Sequence, residues 1–319
     1  TDYNFVLNTD SYNYQLRDRT DYSDLVTKQP FFGQIQTKGG KNNTWKFPVQ
    51  RKVDPDLVSV PEDYPDNSIY RSVVAQHYDT IRMEDDLVGE ILKGLEAAEL
   101  TDNTIVVYFS DHGANNLVRH KQMTTEGGLH VPFLILGPSQ HVPSAQVRRD
   151  LVDMLDLSAT TLAWAGVKKP QWYEGQDLFA VDFIPRSFVA AHKDRLDHTV
   201  DRVRSIRTDR FRYVRNYKFD RIFLQPQYRD NKPFTQNLHE LYRQGELSAL
   251  HRRIYFGERP VEELYEVSID PHMLVNLAAD PAYVNILRQH RALLSEWLSE
   301  GDHGAKEESI QALQVNGEG

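Results

Sequence analysis

Residues 104–110 read Thr104-Ile105-Val106-Val107-Tyr108-Phe109-Ser110 and drop directly into Asp111-His112-Gly113. The run is β-branched and aromatic, with Asp102-Asn103 before it and Gly113 after it, which predicts a short buried strand of a parallel sheet. Ligands of open α/β sheets gather beyond the carboxyl ends of strands, and Asp111 and His112 lie just past that end. A carboxylate and an imidazole side by side on a turn can reach one metal ion, because the strand's alternation breaks there. An Asx-type turn with Gly113 at positive φ explains a bare Asp-His-Gly equally well, so the surrounding sequence has to decide. A second apolar run, Phe133-Leu134-Ile135-Leu136, follows Val131-Pro132, and Lys121 and Glu126-Gly127-Gly128 lie between the two runs.

The chain has 319 residues, 40% hydrophobic and 26% charged, enough for about two domains at ~100–200 residues each. No apolar stretch approaches the ~18 residues of a membrane span, so no membrane partner is expected. The net charge of −9 argues against a nucleic-acid partner, which calls for a basic face. The absence of Cys excludes disulfides in these residues and leaves the redox compartment open.

Residues 30–36 alternate as a strand would. Over residues 70–100, Val74, Tyr78, Ile81, Val88, Ile91, Leu92 and Leu95 recur at helical spacing. The cluster Glu84-Asp85-Asp86 on that helix reads as a solvated face rather than a metal site, since consecutive helical residues point apart. A second helix, 151–165, stops at Gly166, a left-handed C-cap. Past Phe183 the texture changes to strands at 187–191, 203–206 and 211–217, the last two joined through Thr208-Asp209-Arg210. A short helix near 238–250 and a closing helix at 281–298 follow. This places a boundary near Phe183, between an α/β domain of residues 1–183 and an α+β subdomain of residues 184–319. The polar tail from Gly301 reads as disordered.

The motifs together resemble those of the type I sulfatases, the formylglycine-dependent branch of the alkaline phosphatase superfamily. In that family a strand ends in Ser-Asp-Asn/His-Gly, a basic residue follows, and Glu/Asp-Gly-Gly-x-x-Val-Pro leads into the next strand. Here these are Ser110-Asp111-His112-Gly113, Lys121, and Glu126-Gly127-Gly128-Leu129-His130-Val131-Pro132. Pro30-Phe31-Phe32, Ala165-Gly166, Glu262-Glu263-Leu264-Tyr265-Glu266 and Asn276-Leu277 extend the resemblance over nearly the whole chain. It implies an alkaline-phosphatase-like α/β fold, a mostly parallel sheet flanked by helices and incomplete here, with a smaller C-terminal α+β subdomain built on an antiparallel sheet. It also implies a sulfuric ester hydrolase acting on a sulfated polysaccharide or oligosaccharide, periplasmic or secreted. The family's Asp-Asp pair and its Cys/Ser-x-Pro-x-Arg, whose first residue becomes the formylglycine nucleophile, have no counterpart in this sequence. The chain is therefore expected to be the C-terminal part of a sulfatase, needing an N-terminal sulfatase segment or chain as partner for turnover.

Carried onto this sequence, the resemblance makes Asp111 and His112 metal ligands, with Ca²⁺ the expected ion. His112 stands where many members have Asn, and an imidazole leaves room for Zn²⁺ or Mn²⁺. Lys121 matches the lysine that contacts both the sulfate and the leaving-group oxygen. His120 either touches substrate, donating a proton to the departing alcohol, or is a plain loop histidine. Lys38 lies near the place of a sulfate-binding His and would bind sulfate as a point charge. Arg195, Asp197 and His198 are candidates for reading sugar hydroxyls. Arg202 and Arg204, and Arg210 and Arg212, form either a basic stripe for sulfate or carboxylate groups or a solvated face paired with nearby acids. Two other readings stay open. One is a phosphodiesterase or phosphomonoesterase of the same superfamily, with His130 as a third zinc ligand. The other is a non-catalytic glycan-binding fragment.

Overall fold

The computed structural model of the chain describes residues 16, 18–42, 44–143, 145–196 and 199–302, so most of the polar tail lies outside the described residues. Two compact units are present. The first comprises Thr1–Asp54, Ala75–Ser110 and Pro132–Gln146, and the second Pro55–Val74, Asp111–Val131 and Val147–Gly319. Phe183 falls inside the last of these segments.

Helix α1 spans Ser68–Ala97, close to the expected 70–100. Asn67 caps it, its Oδ1 accepting from the Ile69 and Tyr70 amides at 3.0 and 3.1 Å. In the first unit Leu95 and Leu100 form a small core with Tyr22 and Leu25, flanked by Phe31, Ile35 and Val106. Residues 30–36 form no strand. Phe31 and Ile35 turn inward while Phe32 is exposed, so the alternation records one-sided packing of extended chain without a ladder. The acidic cluster on α1 is also not uniformly solvated. Asp86 pairs with Arg51 at 2.7 Å on the surface, whereas Glu84 is buried and accepts from Asn42 Nδ2 at 3.3 Å.

Strands β1, Val106–Phe109, and β2, Phe133–Leu136, pair antiparallel, from Val106 opposite Leu136 to Phe109 opposite Phe133. This corrects the parallel neighbour expected for the first run. The connector between the strands brings the chain back to the end of β1 that it left, and the Ser110 amide extends the ladder to the Pro132 carbonyl at 3.3 Å. The pair is less buried than its composition suggests, with Phe109, Leu134 and Leu136 exposed.

In the second unit a single helical turn, α2 (Glu126–Leu129), precedes α3 (Met154–Trp164). Asp153 and Asp156 close a capping box at the start of α3, and Gly166 follows it with φ +67°, the left-handed stop anticipated there. The four-stranded sheet runs β3 (Val189–Leu196), β4 (Thr199–Arg207), β5 (Arg212–Asn216) and β6 (Glu262–Tyr265), every neighbour antiparallel. The Thr208 amide bonds to the Phe211 carbonyl at 2.9 Å and closes the anticipated hairpin. Helices α4 (Pro233–Gln244) and α5 (Ala249–Phe256) replace the one short helix expected, because Gly245 turns the chain at φ +75°. Helix α6, Val284–Gly301, lays Leu287 and Leu294 on Ile206, Tyr213 and Leu264 of the sheet. The opposite face carries Val203, Val214 and Tyr265 against Met273.

A buried ion cluster braces that sheet. Asp201 accepts from Lys193 Nζ at 2.6 Å and from Arg259 Nη1 at 2.8 Å. Burial alone would raise the Asp201 pKa, but the Lys193 charge and the Arg259 hydrogen bond prevail and hold it at about 2 against an ordinary 3.8. A folded pKa below the unfolded one stabilises the native state above pH 3.8, and the contribution fades as pH falls toward 2. Asp201→Asn, which leaves two cations buried without their anion, should cost about 3–5 kcal/mol in urea denaturation at pH 7. The gap from wild type should narrow in the same assay between pH 4 and pH 2.

Candidate functional site

The connector of residues 111–131 has one helical turn, α2, and otherwise consists of turns and irregular chain. Its shape depends on glycine meeting glycine. The Gly113 amide donates to the Gly128 carbonyl at 3.1 Å. A Cβ on Gly113 would stand 1.7 Å from the Gly127 oxygen, and one on Gly127 would stand 2.7 Å from the His120 ring. At Gly128 a Cβ would lie 2.3 Å from the Met123 oxygen. No other residue type permits this approach, which is the physical reason for Gly in both motifs.

Buried arginines supply the remaining order. Arg119 donates to Asp63 at 3.2 Å and to the His272 and Met273 carbonyls at 3.0 and 3.2 Å. Arg229, fully buried, donates to the Asn115 carbonyl at 2.8 Å and the Lys121 carbonyl at 3.4 Å, spanning the segment between them. Glu126, also buried, receives Arg207 Nε at 3.0 Å and Arg212 Nε at 2.7 Å on a single oxygen, Oε1. Burial alone would raise the Glu126 pKa, but the Arg212 and Arg207 charges outweigh it and keep the carboxyl below its ordinary value.

On this frame Asp111 is 80% exposed at its side chain and His112 is 22% exposed. His112 Nδ1 lies 2.7 Å from the Gly113 carbonyl. A carbonyl only accepts, so Nδ1 carries the proton and Nε2 presents its lone pair in the neutral ring. Nε2 lies 3.7 Å from Asp111 Oδ2. Two acceptors so placed are stabilised by a proton or a cation between them, and a ring whose other nitrogen is tied to a backbone carbonyl matches the usual support of a metal-bound histidine. The donor set therefore fits part of a divalent-cation shell. No group of three or more His, Cys, Asp or Glu able to hold a metal occurs among the described residues. His130, the candidate third ligand, is 82% exposed and lies 3.9 Å from Glu126 Oε2.

Lys121 Nζ sits 5.3 Å from the centroid of the Tyr228 ring, a cation–π contact that orients the ammonium. The adjacent His120 ring is boxed by Gly127 and by Tyr64, whose centroid is 6.2 Å away. These residues, with Asp111 and His112, belong to the second unit. Lys38 belongs to the first, exposed at the start of a short 3₁₀ turn. Arg195 is half-buried near the end of β3, opposite Val200, while Asp197 and His198 lie outside the described residues.

The arginine pattern takes neither form expected of it. Arg202 and Arg204 share the α6 face with Ile206 and bond to Asp302, Arg204 also to Asp194 at 2.7 Å. Arg212 lies on the opposite face and reaches Glu126, and Arg210 in the turn pairs with Glu266. Two sheet faces separate these guanidiniums, and Arg204 and Arg212 are buried rather than solvated. Sequence reasoning also missed Arg229 and Tyr228. The only trace of either is an isolated Tyr228-Arg229 in a stretch without periodicity.

The sulfatase family model matches residues 11–167. An ulvan-active sulfatase of Formosa agariphila is 31% identical over 243 residues, covering 76% of this chain and 40% of the relative. Human N-sulphoglucosamine sulphohydrolase is 26% identical over 292 residues, covering 84% of this chain and 57% of the relative. The chain thus spans about half the length of these relatives. Among solved structures, a 2-O GAG sulfatase superposes with a TM-score of 0.55 at 20% identity, covering 87% of this chain and 56% of that one. The fold is the alkaline-phosphatase-like α/β fold of these enzymes.

The glycine contacts give a direct test. Gly113→Ala forces its methyl onto the Gly127 carbonyl and should destabilise the second unit by about 1–3 kcal/mol, as overpacking does. Denaturant unfolding should report that loss, whereas Gly33→Ala, which meets nothing within 4 Å, should stay within about 0.5 kcal/mol of wild type.

Proposed function

Because the chain belongs to the sulfatase family, we propose that it supplies the metal turn and the sulfate-contacting lysine of an enzyme hydrolysing sulfate esters on a sulfated polysaccharide or oligosaccharide. The observation that carries this reading is the pair Asp111 Oδ2 and His112 Nε2, 3.7 Å apart, with Nδ1 2.7 Å from the Gly113 carbonyl. The sulfated glycans named for the relatives, ulvan and N-sulphoglucosamine, support the substrate class. When bound, a divalent cation would neutralise sulfate oxygens as a Lewis acid, and a formylglycine from sequence outside these residues would supply the attacking oxygen.

Asp111 and His112 would hold that cation by a carboxylate oxygen and an imidazole nitrogen. Ca²⁺ is our first assignment, with Zn²⁺ or Mn²⁺ favoured in proportion to the weight of His112 in the shell. Lys121, steered by Tyr228, offsets charge on the sulfate and on the departing oxygen. To His120 we assign the role of proton donor to the leaving alcohol. Lys38 is assigned to the sulfate, and Arg195, Asp197 and His198 to the sugar hydroxyls. The exposed apolar side chains of β1 and β2 are where we place the partner, an N-terminal sulfatase segment or chain extending the sheet. No helix among the described residues is long and apolar enough to cross a membrane. A polymeric sulfated substrate argues for a periplasmic or secreted protein.

The test is sulfate released from sulfated polysaccharides by the sulfatase that contains this chain. Lys121→Ala and Asp111→Asn should each lower kcat/KM by about 10²–10³-fold. His112→Asn should shift the metal preference toward Ca²⁺ by about tenfold, read from activation by Ca²⁺ and by Zn²⁺ after chelator treatment. Faster release of phosphate than of sulfate from matched esters would point instead to the phosphoesterase branch.

A further inference from the structure

The metal turn and the lysine loop share one anchor, and it lies on the C-terminal sheet. Glu126 begins α2, and the next two residues are the glycines that touch the other parts of the site: Gly127 against His120 and Gly113, and Gly128 bonded to the Gly113 amide. Glu126 itself is fixed by Arg207 at the end of β4 and Arg212 at the start of β5, residues directly opposite one another in the ladder. All these bonds converge on Oε1, and Arg212 Nη2 adds a further contact at 2.6 Å. The Glu126 amide is directed at the Met273 sulfur at 3.4 Å. Moving Glu126 therefore moves the backbone on which Gly113 rests, and Gly113 immediately follows Asp111-His112.

We propose that Arg212, with Arg207, is a positioning residue that sets the Asp111-His112 turn and the His120-Lys121 loop through Glu126, Gly127 and Gly128. Neither guanidinium need touch substrate or metal to do this. A buried ion pair is costly to strand and contributes little net stability, so its effect is chiefly to select one geometry. Two cations on one carboxylate make the choice sharper. Arg212 contacts Glu126 by two nitrogens and also reaches Ser205 Oγ at 3.1 Å, so Arg212 cannot shift without breaking bonds within the sheet.

The inference about geometry stands alone, whereas its effect on turnover rests on the sulfatase reading, so two readouts are needed. Hydrogen exchange should be compared among wild type, Arg212→Met, Glu126→Gln and the double variant. Arg212→Met and Glu126→Gln should each speed exchange at the Gly113, Gly128 and Leu129 amides at least tenfold, while Ile206 and Tyr213 in the sheet keep wild-type protection. The double variant should be no faster than the single ones. In the complete sulfatase the same variants should lower kcat at least tenfold at saturating metal and leave KM within twofold, because the side chains act at a distance from substrate. Faster exchange spread evenly over the sheet, or unchanged exchange at Gly113 and Gly128, overturns the proposal. So does a kcat equal to wild type in an active enzyme. A wild-type enzyme that releases no sulfate overturns the proposed function and leaves the tether to be judged by exchange.

Discussion

Gly113 lies against the Gly127 carbonyl with no side chain between them, and the geometry of the whole connector follows from that contact. Two irregular turns, distant in sequence, are brought to backbone distance and joined by a hydrogen bond between Gly113 and Gly128. The Asp111-His112 turn then rests directly on the main chain of the Glu-Gly-Gly turn, with the His120 ring as the third layer. Main chain packed on main chain leaves no room for a side chain at either glycine, so the approach of the two turns is fixed by sterics.

Arginine completes what secondary structure would otherwise provide. Arg119, Arg212 and Arg229 are each almost fully buried, and each ends on carbonyls or carboxylates in or beside the connector. A planar guanidinium has five donors in a fixed fork, against three on a lysine ammonium, and can satisfy several acceptors of an irregular chain at once. The connector is thus laced from outside by Arg212 on the sheet and Arg229 on the segment after it, and tied outward by its own Arg119.

What could be read from the sequence divides along the same line. Periodicity and caps revealed α1, α3, the β4–β5 hairpin and the stop at Gly166, because these are local properties. The motifs singled out Asp111, His112 and Lys121, which the structure carries on one connector, and the fold class and family followed from the resemblance. Three expectations failed for one shared reason. Residues 30–36 lacked a ladder, Glu84 was buried, and the arginines split between two sheet faces, and each outcome depends on a partner remote in sequence. Arg229 is the clearest case, since its acceptors at Asn115 and Lys121 are carbonyls, and every residue type has one. The antiparallel pairing of β1 and β2 was hidden similarly, because a short apolar run looks the same in either direction.

That pairing also governs how this polypeptide behaves in a tube. Each strand is four residues long, the two have only each other as ladder partners among the described residues, and Phe109, Leu134 and Leu136 face outward. A two-stranded ribbon is marginal in water, and bare strand edges beside apolar side chains are templates for self-association. The exposed edges and apolar side chains will therefore tend to recruit copies of the same chain, and concentration limit and shelf life become indicators of how far these strands are covered.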